Sequence, residues 1–473
     1  MPEYDAIIVG AGPNGLAAAI VLAEAGCSVV ILEAKATIGG GARTLELTLP
    51  GYLHDMCSAI YPLGSGSPFF GTLPLSQHGL DWIQPDLALA HPCDDSSAVI
   101  LARTFEETGE SLGRDAKAYR SLIEPFSSRW YDLAEDILGP LRFPRHPILM
   151  ARFGLKALRS LRGLVESEFQ ESRARVLLAG ITAHSLLPLE KRATASFGLV
   201  LAALGHVAGW PIPRGGSQQI VNALASYFTT LGGKIVTQTP VNSIDDLPTS
   251  DVVLFDVTPR QLLHIAGHKF PERFRRQLAK YRYGPGSFKI DWALDGPIPW
   301  TAPECRRAGT IHLGSSMEEI SRSERLIWEG KVSETPFVIV AQQSLFDPTR
   351  APQGKHTGWG YAHVPHGSSI DLTDRIEAQI ERFAPGFRDL ILERRVTAAV
   401  EMEQYNANYI GGDINGGVQD LGQLFTRPTW RLVPYSTPAR NIYLCSSSTP
   451  PGGGVHGMCG YSAARAALSN WPS

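Results

Sequence analysis

The sequence is short of paired cysteines, of net charge and of a second dinucleotide fingerprint in its middle, and each shortage removes a class of function. Its six cysteines, Cys27, Cys57, Cys93, Cys305, Cys445 and Cys459, form no CxxC pair, which argues against a zinc knuckle and against a disulfide framework. They read as reduced, mostly buried thiols, and no metal site is expected. The 43 basic and 46 acidic residues leave a formal charge of -3, so no global field draws in nucleic acid. Glu3 and Asp5 precede an apolar strand directly, leaving no room for the basic and apolar regions of a signal peptide, and a cytoplasmic protein is expected. Charge is also missing from residues 193–213, a stretch long enough on paper to span a bilayer. Gly198, Gly205, Gly209 and Pro211 interrupt it, so a buried helix is expected instead.

What is present is concentrated at the two ends of the chain. The apolar run Tyr4–Val9 has strand character, Gly10, Gly12 and Gly15 follow at the spacing GxGxxG, and residues 16–25 are rich in alanine and leucine. A second strand, Val29–Leu32, ends on the acid Glu33. A lone GxGxxG is weak evidence, but this one lies between a strand and a helix at the start of a βαβ unit. Gly10 permits the sharp turn, Gly12 lets backbone approach a pyrophosphate, Gly15 lets helix and strand pack closely, and Glu33 is placed to bind a ribose. At the other end, a strand over residues 441–445 leads into SSSTPPGGGVHG, residues 446–457, and then a helix. Consecutive glycines before a helix N-terminus again let backbone meet a polar ligand, and two such places suggest one extended dinucleotide. No second GxGxxG lies mid-chain, so a separate NADPH domain is not expected.

At 473 residues the chain exceeds one ordinary core, and two domains are expected. Between the terminal motifs, strands are expected at residues 82–92 and 98–103 and a helix at 112–138. Residues 148–165 form an amphipathic pattern, with Arg152, Lys156, Arg159 and Arg162 on one face and Met150, Phe153, Leu158, Leu161 and Leu164 opposite. Such a basic face can rest on anionic lipid as a peripheral membrane contact, although a solvated outer face is the commoner outcome. A helix at residues 217–230, a strand at 234–239 and the buried strand DVVLFD, residues 251–256, return the chain to the dinucleotide domain. Further strands at residues 288–294, 310–313, 337–345, 356–364 and 396–402, with a helix at 371–383, predict an antiparallel sheet with helices on one side.

Residues 38–44, IGGGART, resemble the glycine-rich extension of flavoproteins in the amine oxidase and carotenoid desaturase group, which favours FAD over NAD. Gly41 stands where that group usually has arginine, and Arg43 comes two positions later. Together with VGAGPNG, Glu33, the loop around Asp55, DVVLFD followed by Thr258 and Pro259, GGDINGG and NIYLCSSSTPPGGGVHG, the chain is similar over nearly its whole length to phytoene desaturase-related FAD oxidoreductases. His456 stands where carotenoid desaturases usually have proline, which places a titratable ring near the flavin and counts against a true carotenoid substrate.

The resemblance implies an α/β fold class, with a discontinuous Rossmann-like FAD-binding domain (residues 1–78, 210–275 and 425–473) and an α+β substrate domain (79–209 and 276–424). It implies non-covalent FAD. Gly10, Gly12, Pro13, Asn14, Gly15 and Glu33 would hold the ADP half, with Val241 at the adenine end. Arg43, Ser446 and Ser447 would meet the diphosphate or ribityl chain, and Gly453, Gly454, Val455 and His456 the flavin ring. Ala34, Gly40, Gly41 and Ala42 complete the cofactor-binding set. His456, His363 and Tyr361 are the catalytic candidates, with His184 and Arg427 as outlying ones. The implied reaction dehydrogenates or saturates a small apolar, polyene-like substrate by hydride transfer to flavin N5, with electrons passing to oxygen, a quinone or another acceptor. The alternatives are a flavin amine oxidase, a flavin-bearing scaffold without turnover, or an isomerase using reduced flavin.

Overall fold

The computed structural model describes residues 2–471. Short runs of branched apolar residues form a five-stranded parallel sheet in the order Ile442–Leu444, Ser250–Phe255, Tyr4–Val9, Val29–Leu32, Lys234–Val236. Its central strands are almost wholly apolar because helices cover both faces. Pro13–Glu24, Gln218–Thr230 and Met458–Ser469 pack on one side, Pro259–Ala266 and Glu272–Ala279 on the other. Pro13–Glu24 carries no charge before its last residue because it is buried between the sheet and the two helices that share its side.

A second, seven-stranded sheet runs in the order Ile391–Thr397, Gly286–Leu294, His356–Val364, Val338–Ala341, Ala308–Leu313, Leu87–Pro92, Ala98–Leu101. All neighbours are antiparallel except Leu87–Pro92 and Ala308–Leu313, which pair in parallel. One face packs on the helices Ala116–Ser127, Ser172–Ala183 and Ala195–Val207, the other on Thr373–Phe383. This is the expected fold class, a parallel dinucleotide-type sheet joined to an α+β unit, but the second sheet departs from the expectation of helices on one side: its strands are apolar on both faces and helices cover both.

Several elements are shorter than the sequence pattern implied. The helix expected over residues 112–138 is divided into Ala116–Ser127 and Trp130–Ile137, after Phe105–Leu112 ends at Gly113 with φ 60°. The amphipathic stretch 148–165 is also two helices, Pro147–Ala157 and Leu161–Glu168, because the Ser160 hydroxyl accepts the Gly163 N–H at 3.2 Å and starts the second one afresh. The strand expected at 396–402 is Ile391–Thr397, followed by a helix, Ala399–Tyr405. The uncharged residues 193–213 hold the helix Ala195–Val207, and among the described residues no helix is long and apolar enough to cross a membrane.

The two sheets are tied together through Asp55, which is fully buried. Its carboxylate accepts from Thr44 Oγ1 at 2.8 Å, Ser217 N–H at 2.8 Å, Gln343 Nε2 at 3.3 Å and Arg350 Nη2 at 2.8 Å. Burial alone would raise this carboxyl, but the Arg350 guanidinium and the Ser217 N–H outweigh it and hold it below the ordinary carboxylate range. Nearby, Lys289 pairs with Asp291, and His54 Nδ1 lies 3.6 Å from that same carboxylate. Arg350→Met removes the cation and leaves Asp55 buried and unpaired, so it is expected to destabilise the fold by about 3–5 kcal/mol. Denaturant unfolding measures this, and adding Asp55→Asn should restore part of the loss. An unchanged midpoint for Arg350→Met would contradict the pairing.

Candidate functional site

A cavity of about 1030 Å³ extends from the C-terminal ends of the parallel strands, at Val9, Leu32 and Asp256, to the face of the seven-stranded sheet at Thr310, Ile339, Trp359 and Tyr361. Ligands of open α/β sheets bind outside those strand ends, and the volume matches the upper end of ligand pockets, about 300–1,000 Å³.

The first glycine loop brings backbone to the cavity wall. A Cβ on Gly12 would stand 2.7 Å from Asp256 Oδ2, and a Cβ on Gly40 3.3 Å from Gly12 Cα, so two glycine loops face one another with no side chain between them. Gly12, which opens the helix Pro13–Glu24, offers no side chain to cap it, and the side chain that reaches its first turn is that of Asp256. Asn14 Oδ1 at its first turn is buried without a partner. Gly15 does not reach the cavity; its N–H donates to Asp256 Oδ2 at 3.0 Å, and a Cβ there would collide with the Gly10 carbonyl. A bare glycine cradle, a helix opened by Gly12 with no cap side chain of its own and an orphaned amide oxygen together fit an elongated polar cofactor such as FAD.

Glu33 and Arg43 are held more tightly than the sequence suggests. Glu33 accepts the Ala11 and Lys35 N–H groups at 2.9 Å each. The Arg43 guanidinium donates to the carbonyls of Thr37 at 2.6 Å, Gly40 at 3.1 Å and Ile38 at 3.2 Å, bracing the second glycine loop from within. Gly41 leaves room for the Tyr409 hydroxyl, which accounts for the missing arginine there. Ala34, Ala42, Val241, Ser446, Ser447, Gly453, Gly454 and Val455 line the same cavity, and Ser446 Oγ donates to the Val257 carbonyl at 2.6 Å.

The catalytic candidates separate. His456 lines the cavity, but its Nδ1 accepts the Met458 N–H at 3.0 Å, at the start of the closing helix. Burial pushes the ring down to about 4, so near neutral pH it is uncharged and carries its proton on Nε2. Tyr361 lines the cavity with its phenol raised by burial. His363, on the same strand face, is not part of the wall; its Nδ1 lies 2.9 Å from both Glu324 oxygens. Arg427 is also behind the wall, donating to the Ser447 carbonyl at 2.8 Å, whereas His184 does line the cavity.

Asp256 is the residue the sequence pattern placed only as a strand end. Burial pushes its carboxyl up to about 7, with the Glu33 charge adding and the Gly15 N–H opposing. It therefore gains a negative charge as pH rises through that value, beside the helix end suited to a diphosphate. FAD affinity is expected to fall above that pH, by up to about tenfold per pH unit, and Asp256→Asn should abolish the slope. Titration of the apoprotein with FAD across pH tests this; a slope shared by both proteins would contradict it.

The chain matches the family model described as FAD dependent oxidoreductase (DAO) over residues 5–261, more than half its length. The rat protein named pyridine nucleotide-disulfide oxidoreductase domain-containing protein 2 is 26% identical, covering 98% of this chain and 93% of the rat protein. A phytoene desaturase (lycopene-forming) of Pseudescherichia vulneris is 24% identical, covering 98% of each. The crystal structure of an oxidoreductase from Methanosarcina mazei shares the fold with a TM-score of 0.67 at 16% identity, over 98% of this chain and 99% of that one. With the glycine cradle, these findings make the chain a member of the FAD dependent oxidoreductase family.

Proposed function

We propose that the protein exchanges hydrogen with a small apolar substrate held in the outer lobe of the cavity, with FAD in the glycine cradle. The observation that carries this reading is continuity: the cavity that begins at Gly12 and Asp256 ends among Phe153, Phe197, Val200, Leu201 and Ile339. In this reading Gly10, Gly12, Pro13, Asn14 and Glu33 bind the ADP half, Gly40–Arg43, Ser446 and Ser447 the middle, and Gly453–His456 the flavin end. Bound FAD supplies two-electron exchange. The chain supplies orientation and a dry wall, and His456 is an uncharged ring near neutral pH, tied to the Met458 N–H and to the Gly452 and Gly453 backbone.

An amine substrate is less well served. Among the described residues the acids of the wall are Glu33 and Asp256, both in the cradle, and Asp136, whose oxygens are taken by the N–H groups of Arg145 at 2.8 Å and His146 at 2.9 Å. Trp359 and Tyr361 meet edge to face, with centroids 5.1 Å apart and planes at 68°, and form no parallel pair of aromatic walls. Anaerobic addition of apolar alkenes and polyenes to the holoprotein is expected to bleach the flavin absorbance, while amines leave it unchanged. Bleaching by amines alone would overturn the reading; bleaching by neither class, with dithionite still effective, would favour a scaffold or a reduced-flavin isomerase.

We also infer that the cavity mouth contacts a membrane through apolar residues. Of the expected basic face Arg152, Lys156, Arg159 and Arg162, the last three are paired with Glu168, Glu166 and Glu190, which leaves exposed Arg152 as its remaining charge. Beside them Phe143 and Ile148 are 86% and 84% exposed, and the exposed Leu141 and Leu158 also line the cavity. An apolar substrate could then pass from lipid to the lobe without crossing water. Vesicle pelleting should change little with salt and fall about tenfold in Phe143→Glu/Ile148→Glu; strong salt dependence or pelleting that ignores the double substitution would contradict this.

A further inference from the structure

The wall of the outer lobe contains a hydrogen-bonding device that a pure hydrocarbon would leave idle. His184 follows the helix Ser172–Ala183, and its Nε2 lies 3.0 Å from Nε2 of His312, on the strand Ala308–Leu313. His312 pairs in register with Ile339 and Ile339 with Tyr361, which puts the three in one row across the sheet; Thr310 is two residues away on the same face. His184, Thr310, Ile339 and Tyr361 line the cavity, while His312 lies behind them, fully buried.

The tautomers follow from what each nitrogen lacks. His312 Nδ1 is buried with no partner and packs towards Gly180, where a Cβ would come within 2.7 Å. A buried N–H without an acceptor is rarer and costlier than an idle lone pair, so the His312 proton belongs on Nε2, donated to His184 Nε2. His184 then carries its own proton on Nδ1, which makes no hydrogen bond among the described residues and, unlike His312 Nδ1, is not enclosed by protein, His184 being part of the cavity wall. Burial holds both rings neutral, His184 down at about 3 and His312 well below the usual histidine range. Thr310 Oγ1 is likewise buried without a partner on this wall.

We infer that the lobe binds a neutral oxygen acceptor of the substrate, a carbonyl, ester or hydroxyl, through the His184 Nδ1–H. The substrate class is therefore an apolar molecule with one uncharged oxygen function, not a bare hydrocarbon. A carboxylate does not suit the lobe, because the cavity's Lys35 and Arg43 lie in the cradle. A protonated amine would meet a donor where it needs an acceptor. This inference rests on the proposed apolar-substrate reading.

The test uses the FAD-loaded protein with hexadecane and its methyl ketone counterpart as probes, with dissociation constants read from perturbation of the flavin spectrum. Wild type is expected to prefer the ketone by about tenfold. His184→Phe should bring that ratio close to unity with flavin content unchanged, and His184→Gln should restore part of it by returning a donor. His312→Leu, which leaves the cavity wall in place, should lower the ratio as well and serves if His184→Phe does not fold. Equal binding of both probes to wild type, or a preference that survives in His184→Phe or His312→Leu, overturns the inference. Failure of both probes to perturb the flavin instead overturns the apolar-substrate reading beneath it, and the inference with it.

Discussion

The site depends on how closely backbone can approach backbone at the end of the first strand. Gly10, Gly12 and Gly15 lie against Asp256 at the end of the neighbouring strand, and Gly40 closes over Gly12 from the second loop. A side chain at Gly12 or Gly15 would collide, one at Gly10 or Gly40 would be tight and strained at positive φ, and the space left open beside Gly10, Gly12 and Gly40 is the inner end of the cavity. Helix Pro13–Glu24 starts there on Gly12 with no cap side chain of its own; Asp256 takes the Gly15 N–H, and the Gly12–Asn14 turn that lines the cavity is left to a ligand. The same crowding buries Asp256 and raises its carboxyl, so the geometry that favours an anion on one side of Gly12 sets a titratable acid on the other.

The outer half of the cavity has a different origin. It is one face of the seven-stranded sheet, where strand alternation turns Trp359, Tyr361, Ile339 and Thr310 to the same side, roofed by helices whose inner surfaces are almost entirely apolar. The halves keep their relative position through Asp55, which takes donors from Thr44 and Ser217 on the cofactor side and from Gln343 and Arg350 on the other. Buried ionic groups of this kind cost desolvation, and their value lies in fixing one arrangement of the two sheets.

Much of this was legible in the sequence where local chemistry and global role coincide. The glycine spacing, Glu33 and the closing glycines are readable because a βαβ turn imposes a fixed offset between residues that touch one ligand site. Less legible were contacts set by tertiary approach. Arg43 turns inward to hold its own loop, Gly41 is small because Tyr409, distant in sequence, occupies the space beside it, and Asp256 is a site residue only because its strand lies beside the first. Tyr361 and His363 alternate as expected, yet one row along the strand separates a cavity wall from a buried partner of Glu324. The helix 148–165 read as continuous because periodicity cannot register the Ser160 cap that restarts it. The pairing of His184 with His312 has no sequence signal, since it joins a helix end to a strand across the sheet face.

The measurement that bears most directly on this account is the flavin content of Gly12→Val beside wild type, with the cofactor released by acid and identified. The wild type is expected to release intact FAD in stoichiometric amount, and the variant to be folded but colourless, because the added side chain enters the space between the two glycine loops and presses on Asp256. A Gly12→Val protein that is yellow and fully loaded with FAD would show that the cofactor does not lie in this cradle.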